Sequence, residues 1–193
     1  RVIVVTPTPT PRPPPTKTPR PTPTPNASSY YNKGEDYYDA ENWVMAIGEY
    51  TKAIQVDPNH SKAYFRRAYS YSLLDQDQNA IADYTKTIEI GSDWDVSAYN
   101  NRGLSYGNLG QHQNAINDYT IAIQIGPSFR LYYNRARAYY HLGQTQNELD
   151  DYTMAIQLGV PDPAPPVYTD RGYAYRVLGQ YQNAINDYTI AIQ

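Results

Sequence analysis

The chain has 193 residues, no cysteine, 40% apolar residues and a formal net charge of −3 at pH 7. The lack of cysteine excludes disulfides and thiol chemistry, and the polar composition argues against a membrane-spanning segment within the chain. This length suits one repeat domain preceded by an N-terminal tail.

The first five residues form an apolar, β-branched segment, whose apolar members are Val2, Ile3, Val4 and Val5. We expect this strand-like segment to insert into an apolar groove, to pair with another copy of itself, or to end a longer hydrophobic segment upstream. In the third case, membrane contact would come only through that upstream segment.

Residues 6–26 form a threonine- and proline-rich arm, with ten Pro, seven Thr and three basic residues in 6–25. This composition favours an extended polyproline II helix, roughly 60 Å long at ~3.1 Å per residue. Threonine–proline tracts beside a hydrophobic segment are typical of exported bacterial surface proteins, so we expect an extracellular or cell-surface location. The threonines that could be glycosylated are Thr6, Thr8, Thr10, Thr16, Thr18, Thr22 and Thr24.

The arm is complementary in charge to the rest of the chain. Residues 1–25 contain four basic residues and no acid, a formal charge of +4, so the remaining residues carry −7 of the total of −3. A basic polyproline segment is a suitable ligand for an acidic groove rich in tyrosine. We therefore expect the arm to dock on the repeats of its own chain or of a neighbouring copy.

Residues 27–193 are repetitive, and the segment Gln113–Gln124 returns unchanged at Gln182–Gln193. The tyrosine in this segment recurs along the chain at intervals of 34, 35, 33 and 36 residues. These tyrosines are Tyr50, Tyr84, Tyr119, Tyr152 and Tyr188. A period of this length predicts a solenoid of two-helix units. The predicted units are about 27–60, 61–95, 96–128, 129–164 and 165–193.

Each unit contains two helical patterns. In the second, helix B, apolar residues such as Ile116 and Tyr119 fall on one stripe. The first, helix A, ends in the third unit at Gly110, a residue suited to the left-handed conformation that closes a helix. Gly143 and Gly179 occupy the same place in the last two units.

The order of residues in each unit resembles the tetratricopeptide repeat. The third unit shows this order with Tyr99, Gly103, Tyr106, Ala115, Tyr119, Ala122 and Pro127. The resemblance implies an all-α, right-handed solenoid of five helical hairpins preceded by the extended arm. Two departures stand out: Glu148 replaces the alanine of the family, and arginine replaces its usual leucine in helix A. These arginines are Arg67, Arg102, Arg135 and Arg171.

An acid also recurs once in each unit, directly before the tyrosine of helix B. These acids are Glu49, Asp83, Asp118, Asp151 and Asp187. A catalytic carboxylate pair would occur once in the chain, so this recurrence indicates an architectural role. We predict that the arginines pair with these carboxylates in a ladder along the stack.

The sequence predicts no catalysis, no cofactor and no metal site. His60, His112 and His141 fall at different places in their repeats, without the spacing of metal ligands. Neither a glycine-rich phosphate loop nor a Ser-His-Asp order occurs. Nucleic acid is not expected as a partner because the repeats are acidic.

The resemblance implies that the A helices line a concave groove that binds partners. The groove residues expected to bind a partner are Tyr31, Tyr38, Phe65, Tyr69, Asn100, Tyr133, Arg137, Tyr140, Tyr173 and Arg176. An aromatic groove suits an extended peptide or a sugar polymer, unless several of these tyrosines instead pack between adjacent A helices. The carboxylate clamp of the family is only partly present, since Tyr31, Glu35, Phe65 and Tyr69 occupy places where Lys or Asn is needed.

The last predicted helix leaves Ile185, Tyr188 and Ile192 without a following helix to cover them. We expect another copy to cover them in a head-to-tail contact, which closes a ring or propagates as a filament. The leading hypothesis is thus a non-catalytic subunit of a surface or extracellular filament, whose arm docks on the neighbouring subunit. The alternatives are a tethered or secreted adaptor that binds a partner peptide in its groove, and an accessory domain of a larger enzyme.

Overall fold

The computed structural model describes residues 26–91, 95–160 and 166–192, which form ten α-helices and no strand. The helices are α1 (Ala27–Asp39), α2 (Trp43–Val56), α3 (Ser61–Leu73), α4 (Asp77–Ile90), α5 (Asp95–Asn108), α6 (His112–Ile125), α7 (Phe129–His141), α8 (Thr145–Gln157), α9 (Val167–Val177) and α10 (Tyr181–Ala191). The predicted all-α repeat fold is confirmed. The apolar segment 2–5 and the threonines of the arm lie outside the described residues.

The helices form five hairpins, in which the odd-numbered helices are the A helices and the even-numbered ones the B helices. Each helix packs against the helix before it and the helix after it in the chain. In addition, α3 contacts α5 and α5 contacts α7, so consecutive A helices lie side by side. This nearest-neighbour packing is that of a solenoid. None of the described helices is both long and apolar enough to cross a membrane.

The turn between helix A and helix B needs a residue with positive φ. Gly110 supplies it in the third hairpin with φ 71°, in agreement with the sequence analysis. The first two hairpins place Glu41 and Asp75 there, each with φ 56°, although neither residue is a glycine. These hairpins therefore share the same turn geometry, although only some of them have a glycine at the position that needs it.

The core of each hairpin is the tyrosine of helix B packed against a small residue of helix A. Tyr119 is 3% exposed, and a Cβ atom added to Gly103 would lie 2.7 Å from its ring carbon Cε1. In the second and fourth hairpins Ala68 and Ala136 occupy this place and are fully buried. The small residue thus allows the two helices of a hairpin to approach closely.

The predicted arginine–carboxylate ladder is confirmed. Arg102 donates from Nε to Asp118 Oδ2 at 2.8 Å and from Nη2 to Asp118 Oδ1 at 2.7 Å, within one hairpin. Its third nitrogen, Nη1, donates to Thr85 Oγ1 of the preceding hairpin at 2.9 Å. The same three contacts join Arg67 to Asp83 and Thr51, Arg135 to Asp151 and Thr120, and Arg171 to Asp187 and Thr153. Each guanidinium therefore connects two consecutive repeats.

Two tyrosines of the same helix flank each of these arginines. Arg102 Cζ lies 5.4 Å from the ring centroid of Tyr99 and 5.9 Å from that of Tyr106, within the range of cation–π contacts. Equivalent pairs flank the other three arginines: Tyr64 and Tyr71, Tyr132 and Tyr139, and Tyr168 and Tyr175. This arrangement accounts for eight of the tyrosines of the chain. The first hairpin differs, because Lys33 there bonds to Glu49 at 3.1 Å.

Candidate functional site

The face formed by the A helices, called here the A-helix groove, contains two clefts. The N-terminal cleft has a volume of about 390 Å³ and is lined by α1, α3, α5 and the start of α7. The C-terminal cleft has a volume of about 360 Å³ and is lined by α7, α8 and α9. A smaller pocket of about 140 Å³, lined by α5, α6 and α7, is a third depression in the described residues.

One side of the N-terminal cleft is aromatic. The rings of Tyr38 and Tyr69, on adjacent A helices, have centroids 6.0 Å apart. Arg66 Cζ lies 5.1 Å from the Tyr38 centroid, and Arg66 Nη2 bonds to Glu35 at 3.1 Å. Phe65 closes the floor with an edge contact to Tyr84 at 5.7 Å. These rings form a wall on which the side chains of a ligand can pack.

The other side of the N-terminal cleft carries amide and guanidinium groups. Asn134 Nδ2 donates to Asn100 Oδ1, and Asn100 Nδ2 donates to Asn101 Oδ1, both at 3.0 Å. These bonds orient the amides along the groove, and the exposed Arg130 lies beside them. Such donors complement the carbonyl oxygens of an extended peptide.

The C-terminal cleft combines carboxylates with aromatic rings. Tyr140 and Tyr173 meet edge to face with centroids 5.9 Å apart, and Tyr133 donates from its hydroxyl to Asp170 Oδ2 at 3.0 Å. Burial and the nearby Asp170 raise the pKa of Tyr133 to about 12. Glu148 lines the cleft and is only 2% exposed. Its burial, together with the charge of Asp170, raises the pKa of this carboxyl group to about 7.

Seven of the ten groove residues named from the sequence line these clefts. Tyr38, Phe65, Tyr69 and Asn100 line the N-terminal cleft, and Arg137, Tyr140 and Tyr173 line the C-terminal one. The other three contact side chains next to the clefts: Tyr31 packs against Tyr50 and His60, Tyr133 bonds to Asp170, and Arg176 lies 4.7 Å from the Tyr173 ring. Packing between adjacent A helices also occurs, so the same rings line a cleft and join repeats. Partner binding by these residues stays a prediction.

Two pairs escaped the sequence analysis because their members are distant in the chain. The rings of His112 and His141 stack with centroids 4.4 Å apart, and burial together with His141 lowers the pKa of His112. Glu148 and Asp170 form the second pair. In each pair, one residue lies near the start of a B helix and the other lies on the A helix that follows. Because a B helix packs against the next A helix, these repeat positions could have indicated that the two residues lie close together. In the described residues, no group of three or more His, Cys, Asp or Glu residues could hold a metal ion.

Comparison with known proteins agrees with this architecture. Sequence models of the tetratricopeptide repeat match residues 27–60, 49–82, 96–129, 130–158 and 165–193. Protein STIP1 homolog of Dictyostelium discoideum is 29% identical over 68 residues, or 35% of this chain and 12% of that protein. Serine/threonine-protein phosphatase 5 of Homo sapiens is 34% identical over 65 residues, or 34% of this chain and 13% of that protein. The match thus spans about one eighth of these curated relatives.

Solved structures resemble a much larger part of the chain. The crystal structure of MamA superposes with a TM-score of 0.76 at 21% identity, over 82% of this chain and 92% of that one. The crystal structure of YrrB, described as a TPR protein with an unusual peptide-binding site, gives a TM-score of 0.75 at 16% identity, over 86% and 85%. These identities show a common fold alone. The repeat matches, which cover most of residues 27–193, show that this chain belongs to the tetratricopeptide repeat family.

Proposed function

We propose that this protein is a non-catalytic scaffold that binds an extended peptide segment in its A-helix groove. The observation that carries the proposal is the lining of the N-terminal cleft. The rings of Tyr38 and Tyr69 form one wall, and the amides of Asn100 and Asn101 form the other. An extended segment presents alternating side chains and carbonyl groups, and these two sides complement them. The peptide-binding site named for YrrB, a protein of the same fold, agrees with this use of the surface.

The first candidate for the bound segment is the arm, residues 6–25, of a neighbouring copy. Its prolines suit the aromatic wall of the cleft, and its positive charge suits the repeats as a whole, which carry a formal charge of −7. The cleft itself is lined by Arg66 and Arg130 and by no acidic residue, so the aromatic wall supplies the contact there. An arm that docks on the next copy joins subunits head to tail, which leads to a ring or a filament. The alternative is an adaptor that binds a partner peptide in the same groove, with the arm as a spacer. From the composition of the arm, we place either function outside the cell or at its surface.

The apolar face of α10 is a second exposed surface of the described residues. Ile185 and Ile192 are 56% and 85% exposed, and Tyr188 is partly buried against Gly172. Direct stacking of this face on α1 of another copy is disfavoured, however. Asp36 of α1 is exposed, whereas the other A helices have a buried small residue at the same repeat position. Stacking would therefore bury the charge of Asp36. These small residues are Ser70, Ser105, Ala138 and Ala174. We therefore assign the head-to-tail contact to the arm.

Deletion of residues 1–25 is expected to convert an assembled protein into a monomer. The measurement is molar mass by light scattering over a range of concentrations, with circular dichroism to verify that the helices remain. Deletion of residues 1–5 alone is the control that separates the apolar segment from the arm. A protein that is monomeric both with and without residues 1–25 would exclude self-assembly and leave the adaptor.

A synthetic peptide of residues 6–25 is expected to bind the protein that lacks residues 1–25. Substitution of Tyr69 by alanine should weaken this binding roughly tenfold, because truncating a central aromatic residue removes much of the contact energy. The matched control is Tyr181→Ala, since Tyr181 is 66% exposed on α10, away from both clefts. Fluorescence anisotropy of the labelled peptide measures both. Equal binding by the two variants would contradict the assignment of the N-terminal cleft.

A further inference from the structure

The C-terminal cleft contains an acid that the repeat pattern does not call for. Glu148 occupies the position at which the other four B helices have alanine, and these alanines are Ala46, Ala80, Ala115 and Ala184. These four alanines are at most 3% exposed, and Glu148 is equally buried at 2% exposure. The other described hairpins pack with a methyl group at this place, so the fold itself has no need of a carboxyl group.

Glu148 lacks a partner among the described residues. No described side chain or backbone amide bonds to its carboxyl group, and no cation lies within ion-pair distance. Arg137 lines the same cleft, and its charge acts on Asp170. A buried carboxylate without a partner is unfavourable, so this group favours a proton or a cationic ligand.

The surroundings of Glu148 suit an organic cation. Asp170 lies on the facing helix α9 and adds a second carboxyl group, so with Arg137 the ionised cleft carries a net charge of −1. Tyr140, Tyr152 and Tyr173 supply aromatic walls. Arg176 lies against the Tyr173 ring at 4.7 Å, so a guanidinium already occupies one face of this ring. Tyr140, which is 48% exposed, offers further aromatic surface. A volume of about 360 Å³ accommodates the end of a long side chain.

We propose that the C-terminal cleft binds the ammonium or guanidinium group of one lysine or arginine side chain, with Glu148 as its principal anionic contact. This inference rests on the peptide-binding function proposed above and adds the chemistry of one subsite. The arm carries three such side chains, Arg12, Lys17 and Arg20, which makes it a ligand of the right class.

Binding at this site depends on pH. The titratable and charged groups that line the cleft with Glu148 are Asp170 and Tyr173 from α9, Tyr152 from its own helix, and Arg137, Tyr140 and His141 from α7. Tyr133 of α7 lies beside the cleft, against Tyr152 and Asp170. With a Glu148 pKa of about 7, the carboxylate fraction falls roughly 30-fold between pH 8 and pH 5.5. Affinity for a cation is thus higher at pH 8 than at pH 5.5.

The test uses n-butylammonium and methylguanidinium chloride, which carry the charged ends of the two side chains without a peptide backbone. We expect saturable shifts of the backbone amide NMR signals of α7, α8 and α9 at pH 8, and much weaker binding at pH 5.5. Neutral n-butanol should produce no such shifts. Because neither probe is a peptide, the result does not depend on whether the N-terminal cleft binds one.

Two variants of α8 complete the design. Glu148→Ala restores the alanine of the other hairpins, so it should fold, and we expect it to bind the probes at least about tenfold more weakly. Asp150→Asn removes an exposed charge from the same helix and should leave binding unchanged. Equal binding of n-butanol, the absence of saturable shifts, or unchanged binding in Glu148→Ala would each overturn the proposal.

Discussion

Substitution of Arg102 by methionine is expected to lower the free energy of unfolding by about 3–5 kcal/mol. The Asp118 side chain is only 5% exposed, and without the guanidinium its buried charge loses both bonds. Thr85 of the preceding repeat loses its donor as well. Urea denaturation followed by circular dichroism measures the change, and hydrogen exchange of the α5 and α6 amides locates it.

The double substitution Arg102→Met with Asp118→Leu should be less destabilising than Arg102→Met alone. It removes both buried charges together, and buried ion pairs can be replaced by apolar groups at little cost. Lys86→Met is the matched control, because Lys86 and Glu89 form an ion pair with 46% and 58% exposed side chains and should contribute less than about 1 kcal/mol. If Arg102→Met is no more destabilising than Lys86→Met, the ladder is not a source of stability.

Substitution of Ile116 by alanine is expected to cost about 2–5 kcal/mol, whereas Ile185→Ala should cost under about 1 kcal/mol. Both isoleucines occupy the same place in the identical segments Gln113–Gln124 and Gln182–Gln193, so helix propensity and neighbours in sequence are equal. Ile116 is 5% exposed beneath α7, while Ile185 is 56% exposed. Only tertiary packing distinguishes the two sites. Thermal denaturation of dilute protein compares them.

The same pair of variants reports on the surface of α10. If another copy covers this face, Ile185→Ala should become more destabilising as the protein concentration rises, because association stabilises the folded state by mass action. Ile116→Ala should show the same loss at every concentration. Equal losses at both sites in dilute protein would contradict the exposure of Ile185.

The period of the sequence was sufficient to predict the hairpins and the ladder. Each depends on residues that recur in every unit, such as Arg102 and Asp118, so a single chain supplies several independent observations of the same contact. The flanking tyrosines could be predicted as repeat-defining but not as cation partners, because their contact with arginine depends on side-chain direction rather than on spacing.

The clefts could be predicted only in part. Family positions indicated Tyr38, Tyr69 and Tyr140 as groove residues, but the division into an aromatic N-terminal cleft and an acidic C-terminal cleft depends on how residues from three or four helices meet. Glu148 was visible in the sequence as a departure from the family. Its proximity to Asp170 required the packing of α8 against α9.

The arginine ladder also gives each described joint between hairpins the same polar contact. Every described joint uses the same two parts, a threonine on one hairpin and an Arg–Asp clamp on the next. This contact is therefore kept when a hairpin that carries both is duplicated, removed or moved within the stack, whereas pairs such as His112–His141 and Glu148–Asp170 belong to single joints. Thr189 of the fifth hairpin occupies the same repeat position as the threonines that accept from an arginine. Its Oγ1 donates to the Ile185 carbonyl oxygen at 2.7 Å. Among the described residues, Lys33 of the first hairpin bonds to Glu49 of the same hairpin. Gain or loss of one arginine-bearing hairpin would therefore leave the ladder contacts of the other hairpins intact.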